Sequence, residues 1–468
     1  MKASLYQLLG RAALVVALGG GGSLSAQRQA VEARHGMVTS VHGIASEVGV
    51  DILRRGGNAV DAALAPGFAL AVVHPSAGNL AGGGFMMIHL TKENRQVFID
   101  YREAAPGQAT RDMYLDADGK VMTDLGSARL GWRASGVPGT VAGFAEAFEK
   151  YGSGKVTWAE VIEPARRLAA EGHVITQGAA VRFRNAAPML ERFPESRRIH
   201  LNNGKFWQPG EVWRQPELAE TFARLQKGGP REFYEGETAR RLAVAMEENG
   251  GTITLADLRN YRAIAREPLR QSYRGYDVVV PPPTSSGGIT ILQMLTMMEP
   301  FDVRALGQNS AAKYHLFHEV MRRAFCDRIE YIGDPGFVKV PVREMLDKSY
   351  LTRRMADFDP QRATPSTTVK PGLGAVRESK ETTHYSVVDR EGNAVSNTYT
   401  LRNSFGSGVT IPGTGLLMNN VMDDLASKVG EPNMHGLMQG PANAIEPAKR
   451  ALASMTPALV FKEGKLVL

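Results

Sequence analysis

The sequence predicts an α/β fold, on three observations. Residues 38–101 and 266–299 each mix strand-like alternation with helix-like periodicity, and mostly amphipathic helices run between them. After an aperiodic, Pro-rich stretch, residues 382–400 alternate as two strands around a Glu391-Gly392-Asn393 turn. With 43% hydrophobic, 22% charged and 7% aromatic residues over 468 positions, the composition is globular and can fill one large core or two to three smaller ones.

The first element is a separate object. Lys2, Arg11 and the apolar run "AALVVALGGGG" followed by "SLSAQ" read as a secretory signal, residues 1–26, with cleavage after Ala26. The apolar run is too short to span a bilayer comfortably, so an exported, unanchored protein is expected, periplasmic or secreted. From Val38 the pattern gives a short strand, a helix from about Ala45 to Arg54, a Gly-Gly-Asn stop and a buried helix. Gly82-Gly83-Gly84 then leads into a strand; such a run serves either as a plain flexible turn or where backbone must come close to a site. A strand, "RQVFIDY", precedes helices in "PGTVAGFAEAFEKYG", "WAEVIEPARRLAAEG", "PELAETFARLQKGG" and "GETARRLAVAMEENGG". Next a strand runs into Pro281-Pro282-Pro283, and Ser285-Ser286-Gly287-Gly288 opens a helix, with helix capping the favoured role of the serines over anion binding. Residues 355–380 lack periodicity and read as an exposed linker.

Charge and cysteine usage exclude several classes. Removing Lys2 and Arg11 with the signal lowers the net charge from +7 to +5, and the basic residues are dispersed without interleaved aromatics, which argues against nucleic acid. The single cysteine, Cys326, permits no intramolecular disulfide and reads as a small buried residue on a helix. No CxxC, HExxH, P-loop or GxGxxG stands in a convincing context, so neither metal nor nucleotide is implied.

The border at Thr382-Thr383 carries the chemistry. Threonine is a common strand former, and on local sequence that reading prevails. A hydroxyl becomes a nucleophile when a base stands beside it, and a residue's own α-amine, with a reference pKa of about 7.7–8.0, can be that base. Thr382 gains one if the chain is cut before it. An exposed linker running into a rigid strand allows this: Thr382 Oγ1 attacks the Glu381 carbonyl, and the ester formed by N-to-O acyl shift hydrolyses.

The stretch "TTHYSVVDREGNAVSNTYT" resembles the start of the small subunit of γ-glutamyltranspeptidases, members of the N-terminal nucleophile hydrolases. The motifs "GGNAVDAAL", "HPSAGNLAGGGFMMIH", "DYREAAPGQATRDMYL", "SGVPGTVAGF", "PPPTSSGGI", "IGDPGFVKVP", "LLMNNVMDD" and "ASMTP" follow in family order from about residue 36 onward. The resemblance implies a four-layer αββα sandwich, a large subunit of residues 27–381 and a small subunit from 382 to 468. It implies transfer of a glutamyl group from glutathione or a related γ-glutamyl amide to water, an amino acid or a peptide. Thr382 would be the nucleophile and Thr400 its hydrogen-bonding partner. Arg102 would grip the donor α-carboxylate with Ser454 adding a hydroxyl, and Asp424 would take the α-ammonium. His384 is expected to serve structurally. No cofactor is expected, since nucleophile, base and oxyanion donors all come from protein, and no membrane span is expected.

Departures from the family pattern leave alternatives open. Arg402 stands where an Asn is usual, Val421 where a Gln or Glu is usual, and Ala453 replaces the first of two serines. Arg402 repels an ammonium and Val421 offers it no acceptor, which favours an acylase acting on glutaryl-type amides; the retained Asp424 opposes that reading. Asn403 would substitute for the usual Asn only through a strand bulge. The family continues into a Gly-Ser-Pro-Gly-Gly oxyanion loop, whereas this sequence ends at "VFKEGKLVL". An incomplete small subunit, poor turnover, or a non-catalytic relic are the corresponding expectations.

Overall fold

Alternation along the strands sorts their side chains into two apolar layers. The computed structural model describes residues 31–370 and 382–468. In chain order its main strands are β1 (Gly36–Thr39), β2 (Gly83–Leu90), β3 (Arg95–Tyr101), β4 (Ile264–Arg266), β5 (Leu269–Tyr273), β6 (Tyr276–Val280), β7 (Thr383–Asp389), β8 (Ala394–Thr400), β9 (Leu459–Lys462) and β10 (Lys465–Leu466). The helices that position the site are α1 (Gly43–Arg54), α2 (Ala59–Val73), α3 (Thr140–Tyr151), α4 (Trp158–Glu171), α5 (Gly287–Met298) and α6 (Ala311–Tyr331). A six-stranded antiparallel sheet runs β1-β7-β8-β2-β3-β4, and a four-stranded antiparallel sheet runs β10-β9-β6-β5.

Met86 and Ile88 of β2, Ile99 and Tyr101 of β3, and Tyr385 and Val387 of β7 share a core with Phe68 of α2, Phe144 of α3 and Ile162 of α4. Their strand neighbours Phe85, Met87, Phe98 and Ala394 point the other way and meet Val279 of β6 with Leu459 and Phe461 of β9. On the far side of the second sheet, Val278 and Val280 pack against Leu292 of α5. A period of two thus builds helix, sheet, sheet and helix in that order, the expected αββα sandwich.

The α2 helix is apolar all round because it is covered all round: every residue from Ala59 to Val73 is buried. Asn58 and Asp61 form a capping box at its start, and Asp389 Oδ2, at the end of β7, accepts from Ala59 N at 2.9 Å. That bond joins the β7–β8 hairpin to the central helix. At the other end of the sheet the glycine run resolves as close backbone approach. A Cβ on Gly82 would lie 2.2 Å from the Thr400 carbonyl oxygen, and one on Gly84 2.4 Å from that of Thr398. Side chains there would force β2 away from β8.

Most expected elements stand where the pattern puts them, including the helices at Pro216–Gly228 and Glu237–Glu248. Cys326 is buried on α6, and its thiol donates to the Val369 carbonyl at 3.8 Å. The capping role read for Ser285-Ser286 is overturned. Ser286 precedes α5 without any side-chain cap bond, because its hydroxyl donates to the Ala453 carbonyl at 2.9 Å instead. Residues 355–370 are largely exposed, as expected of a linker. The signal segment 1–26, the linker residues 371–380 and the Glu381 carbonyl lie outside the described residues. Among the described residues no helix is long and apolar enough to cross a membrane.

Candidate active site

Strand register brings the two threonines together. Thr383 pairs with Tyr399 across β7 and β8, so the next step of the antiparallel ladder sets Thr382 opposite Thr400. Opposed residues have Cβ atoms about 4.5–5.5 Å apart, within reach of a direct hydroxyl contact. Parity separates the doublet: Thr383 shares its face with Tyr385 and Val387 and is buried, whereas Thr382 is exposed on the opposite face. Thr400 is buried, and its Oγ1 accepts from Arg402 N at 2.9 Å. His384 bridges Thr398 Oγ1 at 2.7 Å and Ser386 Oγ at 3.1 Å, a structural role as expected.

Arg102 follows the last residue of β3 and is held on all three nitrogens. Nε donates to the Ala451 carbonyl at 3.4 Å, Nη1 to Glu103 Oε2 at 2.9 Å, and Nη2 to Asp424 Oδ2. Its own backbone is fixed as well, with N on Asp100 Oδ1 at 3.0 Å and its carbonyl accepting from Tyr261 Oη at 2.7 Å. Asp100 in turn is neutralised by Arg450 at 2.8 Å and Arg266 at 3.3 Å. Burial pushes the Glu103 carboxyl up, against the pull of Arg102.

Asp424 stands at the end of the short turn Val421–Asp424 and opens in part to the cleft. Burial alone would raise its carboxyl, but Arg402 and then Arg102 outweigh it and hold the group below the usual carboxylate range. Arg402 sits at φ +80° just past β8, 4% exposed, with Nη2 2.6 Å from Asp423 Oδ2 and Nε 2.8 Å from Asp424 Oδ1. These are charge contacts more than aligned hydrogen bonds, for none of the three nitrogens meets hydrogen-bond geometry. Asp424 therefore has both oxygens engaged by guanidinium groups. An incoming ammonium would have to share this carboxylate with two guanidinium groups.

All seven residues expected at the site line one cleft of about 220 Å³: Arg102, Thr382, Thr400, Arg402, Asp424, Ala453 and Ser454. Leu437, Leu452 and Met455 supply its apolar walls. Two further residues weighed from the sequence stand elsewhere. Val421 packs in an apolar cluster with Ala105 and Tyr114, and Asn403 donates through Nδ2 to Met434 Sδ at 2.6 Å, so neither takes the place of the usual amide.

Arg328, in the last turn of α6, also lines the cleft and was not anticipated. The signal for it lay in the helix pattern. The buried stripe of α6 includes Leu316, Val320, Arg323 and Asp327, and charged residues at core spacing mark a buried ion-pair network rather than a plain amphipathic face.

A family model described as gamma-glutamyltranspeptidase matches residues 45–468. The chain is 47% identical over 445 residues to the glutathione hydrolase proenzyme of Pseudomonas sp. (strain A14), covering 95% of this chain and 76% of the relative. Among solved structures, the Helicobacter pylori gamma-glutamyltranspeptidase matches with TM-score 0.71 at 39% identity, covering 75% of this chain and 100% of that one. The cephalosporin acylase of Bacillus halodurans matches with TM-score 0.81 at 27% identity, covering 94% of this chain and 77% of that one. With a Thr-led hairpin in an αββα sandwich and motif matches along nearly its whole length, the chain belongs to the γ-glutamyltranspeptidase family.

Proposed function

We propose that the chain is the precursor of an exported γ-glutamyl acyltransferase and hydrolase that cuts itself before Thr382 and then uses Thr382 as its acyl-carrying nucleophile. The observation that carries this reading is the convergence of Thr382, opposite Thr400, with Arg102, Asp424 and Ser454 on one cleft. In the first stage Thr382 Oγ1 attacks the carbonyl of Glu381, the peptide nitrogen leaves as the α-amine of Thr382, and water hydrolyses the resulting ester. In the second, that amine takes the hydroxyl proton while Oγ1 attacks the γ-carbonyl of a glutathione-like donor; the proton passes to the departing amine. Water, an amino acid or a peptide then accepts the acyl group. Arg102 and the Ser454 hydroxyl meet the donor carboxylate. Thr400 orients the nucleophile. Localisation in the periplasm or outside the cell rests on the reading of residues 1–26.

The strands of the two prospective subunits alternate in one sheet, with β7 between β1 and β8, and β8 beside β2. A cut before Thr382 therefore leaves both chains held by full ladders. N-terminal sequencing of the purified protein should find a chain beginning Thr-Thr-His-Tyr, and Thr382→Ala should remain a single chain. A purified wild-type protein with one N-terminus and one band refutes the proposal.

The pairing of Arg402 with Asp423 and Asp424 favours a second activity, on amides of dicarboxylic acids that lack the α-amino group. The ratio of kcat/KM for glutamyl and glutaryl p-nitroanilides distinguishes the two, the first reading requiring the glutamyl donor to be preferred.

A further inference from the structure

We propose that Ser286 and Arg328 are positioning residues that act as one unit: through a single hydrogen-bond chain they fix the Ala453 carbonyl, and with it the edge of residues 452–455 that lines the donor cleft. The proposal deepens the acyl-transfer reading of that cleft and rests on it.

The chain runs from the helix to the cleft edge. Arg328 Nε donates to Ser286 Oγ at 2.9 Å, and Ser286 Oγ donates to the Ala453 carbonyl at 2.9 Å. The same carbonyl accepts from Ser286 N at 2.8 Å, and Ala453 N donates to the Thr284 carbonyl at 3.2 Å. One residue earlier, Ser285 Oγ donates to the Met455 carbonyl at 2.8 Å. Thr284, Ser285 and Ser286 are wholly buried, and Arg328 is 3% exposed. A serine hydroxyl that accepts from a guanidinium while donating to a carbonyl is polarised in the direction of its own donation, so the two bonds strengthen each other.

The consequence for the cleft follows from peptide geometry. In a trans peptide the carbonyl of one residue and the N–H of the next point in opposite directions. With the Ala453 carbonyl drawn toward Ser286, the Ser454 N–H is turned away from that wall, and the Ser454 side chain is exposed where it lines the cleft. The turn also reaches the opposite wall. Thr284 Oγ1 donates to Asp100 Oδ2 at 3.0 Å, and Asp100 Oδ1 receives Arg102 N. Residues 284–286 thus brace Ser454 and Arg102 together. Their spacing matters because a donor carboxylate has to meet both.

Space excludes a looser arrangement. A Cβ on Gly287 would lie 1.8 Å from Thr456 Oγ1, so the segment carrying Ser454 is pressed directly onto the start of α5. The sequence "PPPTSSGG" is accounted for by this contact rather than by a helix cap.

The test is a double-mutant cycle in the full chain, with Ser286→Ala, Arg328→Lys and the pair combined. Each single change should raise KM for a glutamyl p-nitroanilide about 5- to 20-fold, with kcat within about threefold, because the donor edge loses its orientation while the nucleophile is untouched. Self-cleavage should stay near wild type while the melting temperature falls modestly, as losing one buried hydrogen bond requires, and Ser286→Thr, which keeps the hydroxyl, should restore most of the lost KM. The pair should be no worse than about twice the larger single effect, since the two residues form one chain. Multiplied single effects, or a fall in kcat at constant KM, would overturn the proposal. If the wild type turns over neither glutamyl nor glutaryl donor, the acyl-transfer reading fails by itself. The brace is then judged by the same cycle on calorimetric binding of L-glutamate and glutarate, where additive losses or none overturn it.

Discussion

Asp423 and Asp424 would together attract a substrate ammonium, yet Arg402 lies 2.6 Å from one and 2.8 Å from the other and cancels much of that field. The departure at position 402 is legible in the sequence; its consequence is not. An arginine in place of an amide reads as a cation facing the substrate. In the fold its φ of +80° turns it at the strand end, and it spends its charge on its own neighbours. Arg402→Asn should therefore shift the glutamyl-to-glutaryl ratio of kcat/KM upward by on the order of tenfold, equivalent to ~1.4 kcal/mol. The cost in stability should fall below the penalty of about 3–5 kcal/mol for leaving a buried charge uncompensated, because Arg129 stays 3.2 Å from Asp423 and Arg102 stays on Asp424. Parallel assays of the two p-nitroanilides before and after the change measure the shift, and an unmoved ratio would mean that Arg402 does not govern the head-group site.

At the scale of elements, the β7–β8 hairpin and its neighbour β2 depend on a contact that only glycine allows. Gly82→Ala would drive a methyl group against the Thr400 carbonyl, 2.2 Å away, displacing the residue opposite Thr382. A loss of about 1–3 kcal/mol is expected from such overpacking, together with a fall in kcat. Gly43 is the matched control, since a Cβ there meets nothing within 4 Å; Gly43→Ala should leave both quantities unchanged or raise stability slightly. Thermal melts and initial rates of the two variants make the comparison, and equal behaviour would dissolve the argument. Strands and helices themselves were legible because period-two and period-3.6 patterns depend on local spacing. The role of Ser286 was not, because a serine before a helix looks like a cap until the carbonyl that competes for its hydroxyl, 167 residues away at Ala453, comes alongside. For Arg328 the helix pattern marks burial, but its place in the cleft is set by how α6 packs.

For the whole molecule, the α-amine and the buried side chains titrate in different pH ranges, which should separate activity from folding above about pH 6.5. In the proposed mechanism the Thr382 α-amine, freed by the cut, accepts a proton only when neutral, so kcat/KM should rise with pH through about 7–8 and fall about tenfold per unit below that. The buried carboxyls respond far lower. Asp424 is held down by Arg402 and Arg102 against burial, so its contribution to stability is present above its unfolded value, about 3.9, and is lost as pH falls through the depressed folded value. Glu103 has the opposite sign: burial raises it, so its contribution is complete below about 4.3 and is lost as pH rises through the folded value. Neither carboxyl makes the protein less stable between pH 7 and pH 6, where the amine becomes protonated. Rates and melting temperatures measured together from about pH 6.5 to 9 should show activity falling toward the acid end while the melting temperature holds. Below about 6.5 the buried neutral histidines, His74 and His173 pushed down to about 4 and His200 to about 3, lower stability as pH falls. A melting temperature that declined in step with the rate would trace the loss to unfolding, and would remove the α-amine from the role of base.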